Sequence, residues 1–139
     1  MGEGPLASLL EVTRGLTILS EDILAGRRLR IATLANELRV AGMTAAAACS
    51  FGVTSELSGT ADYTAPRAWA GVLHAAGFDG ARYHVRHDPR GSLFAVGWFG
   101  RAGRLARPPA GFSQELPAEV LLDAAPFGIR IAGRLQAQP

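Results

Sequence analysis

The clearest element in the chain spans residues 64–76, and its modest length constrains everything around it. Thr64 is a good helix N-cap, and Pro66 is tolerated in a first turn, where its missing N–H costs no bond. Trp69, Val72, Leu73 and Ala76 then recur at the spacing of one helical face. Gly77 is the stop signal. Elsewhere Gly15, Gly26, Gly42 and Gly52 cut the first half of the chain into still shorter pieces. Such punctuation specifies a small domain assembled from many short elements.

Those elements are of both kinds. Residues 5–14 read as a short helix, with Leu6, Leu9, Leu10 and Thr13 on one face and Gly15 to end it. Ser20 followed by Glu21 and Asp22 is an N-cap with acidic residues in the first turn of a brief second helix. Leu29, Ile31 and Thr33 alternate with their neighbours as in a strand, and residues 38–43 make a second candidate. Thr44 is placed to cap an alanine-rich helix over 45–50. A strand over 81–85 leads to the turn Asp88-Pro89-Arg90-Gly91, and the apolar run 92–99 reads as a buried strand. Residues 100–111 form a loop in which Arg101, Arg104 and Arg107 are expected to be solvated. A helix over 117–124 and a strand over 127–132 close the chain. The predicted fold is α+β, a single mixed domain over residues 1–139.

Composition narrows the function classes. With 139 residues and 48% hydrophobic content, one core is affordable. The net charge is only +2, all of its basic residues being arginine, so direct nucleic-acid binding is not expected. The single cysteine, Cys49, excludes an intrachain disulfide; after its alanine run it is expected to be a buried or half-buried structural thiol. No signal peptide is visible, and no apolar run reaches the roughly 18 residues of a membrane span, so the expected location is cytoplasmic. Neither a dinucleotide-binding glycine motif nor a Walker loop is present. His84 and His87 are close in sequence but lack a third ligand, and no metal site is expected.

The stretch 63–99 resembles a known family. It carries Tyr63, Trp69, Asp79-Gly80, Tyr83, Asp88-Pro89 and Phe99 in an order similar to RES domains. These have a helix with a Tyr/Ala/Trp start, an Asp-Gly, a strand bearing Tyr-x-Ser and then Asp-Pro, and an apolar strand ending in Phe. Upstream, the run RRLRIATLANELRVAGMT is similar to the family's strand pair, with Ala41-Gly42-Met43-Thr44 where Val-Asp-Leu-Thr is usual. LASLLEVTRG resembles the helix bearing the signature glutamate, at Glu11. Residues 121–132 resemble the closing helix and strand, so the likeness covers about 5–132.

The resemblance implies a toxin of a bacterial toxin–antitoxin pair, with an Xre-type antitoxin as partner and a fold similar to ADP-ribosyltransferase toxins. It implies NAD as substrate rather than as resident cofactor, consumed by hydrolysis, phosphorolysis or transfer of ADP-ribose to a protein. The family's active site holds an arginine, a glutamate and a serine. Glu11 matches the glutamate. The serine position falls on Val85, and residues 1–10 contain no arginine to match the third. The family's N-terminal segment, with its tyrosine-bearing strand, is expected to be missing. This leads to two expectations: impaired catalysis, and an uncovered sheet edge that favours self-association into a homo-oligomer. The alternative is a non-catalytic protein that still binds an antitoxin, or a decayed remnant.

The chemistry explains why those residue types are needed. Nicotinamide leaves NAD as a neutral molecule, so the developing ribosyl cation is what needs stabilising, and a carboxylate at Glu11 supplies the field. The pyrophosphate calls for a guanidinium, for which Arg86 is the candidate replacement. Val85 has no polar atom with which to orient a substrate, and Tyr83 is the candidate to line the pocket. Trp69 is expected in the core, and His84 and His87 at an exposed strand end.

Overall fold

The computed structural model describes residues 1–13, 15–100 and 110–133. Most of the loop with Arg101, Arg104 and Arg107 therefore lies outside the described residues. The architecture is a small α+β domain. Helix α1 (Pro5–Thr13) is followed by β1 (Ile18–Ser20), α2 (Glu21–Ala25), β2 (Arg28–Ala32) and β3 (Val40–Gly42). After a 3₁₀ segment (Ala46–Phe51) come α3 (Glu56–Gly59), α4 (Thr64–Ala75), β4 (Gly80–His84) and β5 (Phe94–Trp98). The chain then forms β6 (Gly111–Glu115), α5 (Ala118–Ala124), a 3₁₀ turn (Ala125–Phe127) and β7 (Arg130–Ala132).

Local sequence explains most boundaries. The Ser20 hydroxyl accepts from the Ile23 N–H and opens α2 as a capping residue should. At the start of α4 the side-chain acceptor lies two positions upstream of Thr64, the expected cap, and Thr64 is a donor instead. Asp62 accepts from both the backbone N–H and the hydroxyl of Thr64, at 2.9 and 2.7 Å. Gly77 ends that helix region at φ +81°, a left-handed conformation that a side chain would strain. The expected helix over 45–50 is a tighter 3₁₀ segment ended by Gly52. The strand β6 was not expected at all, because its sequence GFSQE is polar and mostly exposed.

The strands form three small sheets. The largest has the order β3-β4-β5, with β3 parallel and β5 antiparallel to β4. A parallel pair joins β1 to β7, and an antiparallel pair joins β2 to β6. The outer edge of β5 is covered by residues 1–3. Gly2 bridges to Ala95, the Glu3 N–H donates to Phe94 and the Val96 N–H donates to Met1. This edge is therefore not open in the way the resemblance led us to expect.

The core sits where α1 and α5 meet the β4–β5 region. Ala7, Leu9 and Leu10 of α1 pack with Leu19, Val85, Ala95, Val120, Ala124 and Ile129. The amphipathic face of α1 thus does what its spacing predicts. By contrast, no residue of α4 is buried. Among the described residues no helix is long and apolar enough to cross a membrane.

Candidate functional site

The space that α4 leaves open is a cavity of about 580 Å³. This lies within the roughly 300–1,000 Å³ of small-molecule sites. One wall is the inner face of α4, where Pro66, Trp69, Ala70 and Leu73 are in contact with it. Residues 54–60 contribute a rim of hydroxyls from Thr54, Ser55, Ser58 and Thr60. The opposite wall is built by Glu11 from α1, Ala81 and Tyr83 from β4, and Arg86 and His87 from the turn that follows.

Glu11 and Tyr83 meet on that wall. The Tyr83 hydroxyl donates to Glu11 Oε2 at 3.2 Å, across 72 positions of sequence. Both side chains are half-buried. The two positions are brought together because α1 packs its Leu9–Leu10 face on the core and lies against β5, the strand paired with β4, and Tyr83 packs partly against that same core. Burial, then the charge of Glu11 and the hydrogen bond to it, push the Tyr83 phenol up to about 12. It remains a protonated donor at neutral pH and holds the carboxylate in place. Among the described residues lining the cavity, Glu11 supplies the one carboxylate and Arg86 the one guanidinium.

The turn after β4 is fixed by an acid that does not face the cavity. The Asp88 side chain is fully buried. Its carboxylate accepts from the N–H groups of Arg90, Ser92 and Leu93 and from the Ser92 hydroxyl, at 2.6 to 3.1 Å. Burial pushes the Asp88 carboxyl up, but those hydrogen bonds outweigh it and hold it below the ordinary aspartate value. His87, one residue earlier, packs against Gly15: a Cβ at that glycine would lie 2.9 Å from the imidazole Cε1. His84 sits against the Phe94 ring at 4.8 Å, and its Nδ1 is buried without a partner among the described residues.

Of the residues singled out in the sequence, Glu11, Tyr83 and Arg86 converge on one cavity and Val85 does not. Val85 is 1% exposed and belongs to the hydrophobic core. A hydroxyl at its place would be enclosed by hydrocarbon.

Three other expectations are corrected. Trp69 is not core: it is half-buried and turned to the cavity, because helical spacing marks an apolar face without saying whether that face is filled. Cys49 is not a buried thiol but an exposed one on the cavity rim, since the 3₁₀ segment that carries it has no buried residue. His84 and His87 are half-buried rather than exposed. The hydroxyl rim over 54–60 was missed; the density of Ser and Thr between Gly52 and Thr64 was the available signal. Among the described residues no group of three or more His, Cys, Asp or Glu could hold a metal ion. In comparisons with protein-family models, curated proteins and solved structures, nothing matched this chain.

Proposed function

We propose that the cavity is the NAD site of a RES-type toxin component, a slow NAD-consuming protein with a fold of the ADP-ribosyltransferase-toxin kind and an Xre-type antitoxin as its partner. The observation that carries the reading is the Glu11–Tyr83 pair on the wall of a cavity of nucleotide dimensions. The Tyr83 hydroxyl restrains the Glu11 carboxylate, and a carboxylate that faces a developing cation gains from such restraint, because misplacement by ~1 Å can cost about 10²-fold in rate.

In this reading the glycosidic bond between ribose C1′ and the nicotinamide nitrogen breaks. Its electron pair goes to the ring nitrogen and quenches the pyridinium charge, so nicotinamide leaves neutral. Positive charge develops at C1′ and is stabilised by Glu11. Water then adds to C1′ and releases its proton to solvent, giving ADP-ribose; phosphate or a protein nucleophile would take the same position. Trp69 and Tyr63 offer flat faces for a base, and the hydroxyls over 54–60 match those of a sugar. With Val85 in the core, no hydroxyl at that position orients the substrate, and turnover is slow.

A fluorogenic etheno-NAD assay with the full chain tests this. We expect slow turnover, reduced about 10²-fold or more against an intact family toxin, and lost in Glu11→Gln without loss of fold. Turnover unchanged in Glu11→Gln would contradict the reading, as would no binding and no cleavage of NAD by the wild-type chain.

A further inference from the structure

We infer that Arg86 and His87 form a diphosphate subsite at the cavity. The inference rests on the reading of the cavity as a nucleotide site and assigns the part of the ligand that this reading leaves unheld. Four observations lead to it.

First, Arg86 is the one guanidinium among the described residues that line the cavity, and His87 lies beside it in the same turn. Second, among the described residues no carboxylate forms an ion pair with Arg86. The nearest acid in sequence, Asp88, spends its charge on the N–H groups of its own turn and on the Ser92 hydroxyl. Third, the partner that Asp88 does keep is Arg90, at 3.6 Å, whose guanidinium lies over the Phe127 ring. The two arginines of this turn are thus divided, one committed to the fold and the other left to the cavity. Fourth, the same Asp88 bonds tie down the backbone that follows these two residues, His87 is backed by Gly15, and the exposed Arg86 side chain lines the cavity where a ligand can reach it.

An oxyanion is the chemistry this pair recognises. A guanidinium binds phosphate oxygens through its forked N–H groups, and an imidazole N–H adds a second donor. Glu11, on the same wall, repels a phosphate but favours a sugar hydroxyl or a cationic ring. A ligand satisfying both must therefore carry its phosphate and its electron-poor end at separate places. A dinucleotide with a central diphosphate does so.

The test is calorimetric binding of ADP-ribose, adenosine and inorganic pyrophosphate to the wild-type chain, Arg86→Gln, His87→Ala and the control Arg130→Gln. The control makes the same change of net charge on β7, away from the cavity. We expect Arg86→Gln to weaken ADP-ribose and pyrophosphate by about ten- to a hundredfold, the value of a charge-assisted hydrogen bond. His87→Ala should weaken both by less, and adenosine should be unaffected in every variant. Unchanged affinity for ADP-ribose in Arg86→Gln would overturn the proposal, as would an equal loss in Arg130→Gln. The nucleotide reading fails separately. If the wild-type chain binds pyrophosphate through Arg86 but neither adenosine nor ADP-ribose, the subsite stands and the nucleotide does not. If it binds none of the three, both fall.

Discussion

Helices α1 and α4 carry apolar residues at the same helical spacing, yet α1 closes on the core at Leu9 and Leu10 while α4 has no buried residue. Val72 of the α4 stripe is 64% exposed, and Trp69 and Leu73 of the same stripe face a cavity. The difference lies in what stands opposite each helix. Against α1 come α5 and the β4–β5 region, which supply Val120, Ala124, Val85 and Ala95. Against α4 come the short α3, residues of β4 and the mostly small or hydroxylated side chains of residues 44–60, and among the described residues these leave the space open. One helix closes on the core, and the other, among the described residues, borders a cavity.

That contrast is most exposed to failure in paired truncations. We expect Leu10→Ala to destabilise the fold by about 2–5 kcal/mol, through lost transfer energy and a cavity in a packed core. Leu73→Ala should cost about 1 kcal/mol or less, since its side chain already borders open space. Urea unfolding midpoints of the two variants decide it. Equal losses would mean that α4 is packed in solution and the cavity is closed.

A smaller effect is expected at the joint between the two regions, the turn after β4. Asp88→Ala strands three part-buried backbone N–H groups and a hydroxyl, a loss of about 1–3 kcal/mol. Its folded carboxyl is held below the unfolded value, so its contribution is present above the unfolded value and is lost as pH falls through the depressed one. Acid unfolding curves should therefore be steeper for the wild-type chain than for Asp88→Ala. Identical acid slopes would show that the turn is not held by this charge.

The smallest stability effect concerns the residue that straddles both regions. Tyr83→Phe keeps the ring on the core and removes the bond to Glu11, costing about 0.5–1.5 kcal/mol. The Tyr83 phenol is raised to about 12 in the fold, so its contribution is full below the unfolded value and is lost as pH climbs toward 12. An ultraviolet titration should show a late phenolate step near that pH, absent in Tyr83→Phe and shifted down in Glu11→Gln. A step unmoved by Glu11→Gln would dissolve the pair.

Much of this was legible in the residues. Ser20 before two acids, Gly77 after an apolar stripe, and the Asp-Pro-Arg-Gly turn are local signals, and each acts through bonds to neighbours in the chain. The parallel pairing of β1 with β7 was not legible, because the partners are more than a hundred positions apart and each strand has three residues. Nor was β6, whose polar sequence is held by pairing with β2 rather than by burial. At the site, Glu11, Tyr83 and Arg86 could be named from the sequence, but not their convergence. Val85 shows the converse: its place in a motif pointed to the site, and its hydrocarbon side chain went to the core. Trp69 failed for the reason that separates the two helices, since periodicity reports an apolar face and cannot report what opposes it.

The claim at the centre is that the inner face of α4 is a ligand wall, and the chain's two tryptophans offer a direct reading of it. Trp69 faces the cavity, and Trp98 lies on β5 away from it, 44% exposed. NAD should be titrated into Trp98→Phe and Trp69→Phe while tryptophan emission is recorded. We expect saturable quenching in Trp98→Phe, whose remaining indole is Trp69, and no saturable change in Trp69→Phe. Quenching that persists in Trp69→Phe, or none in Trp98→Phe, would contradict the assignment of this cavity.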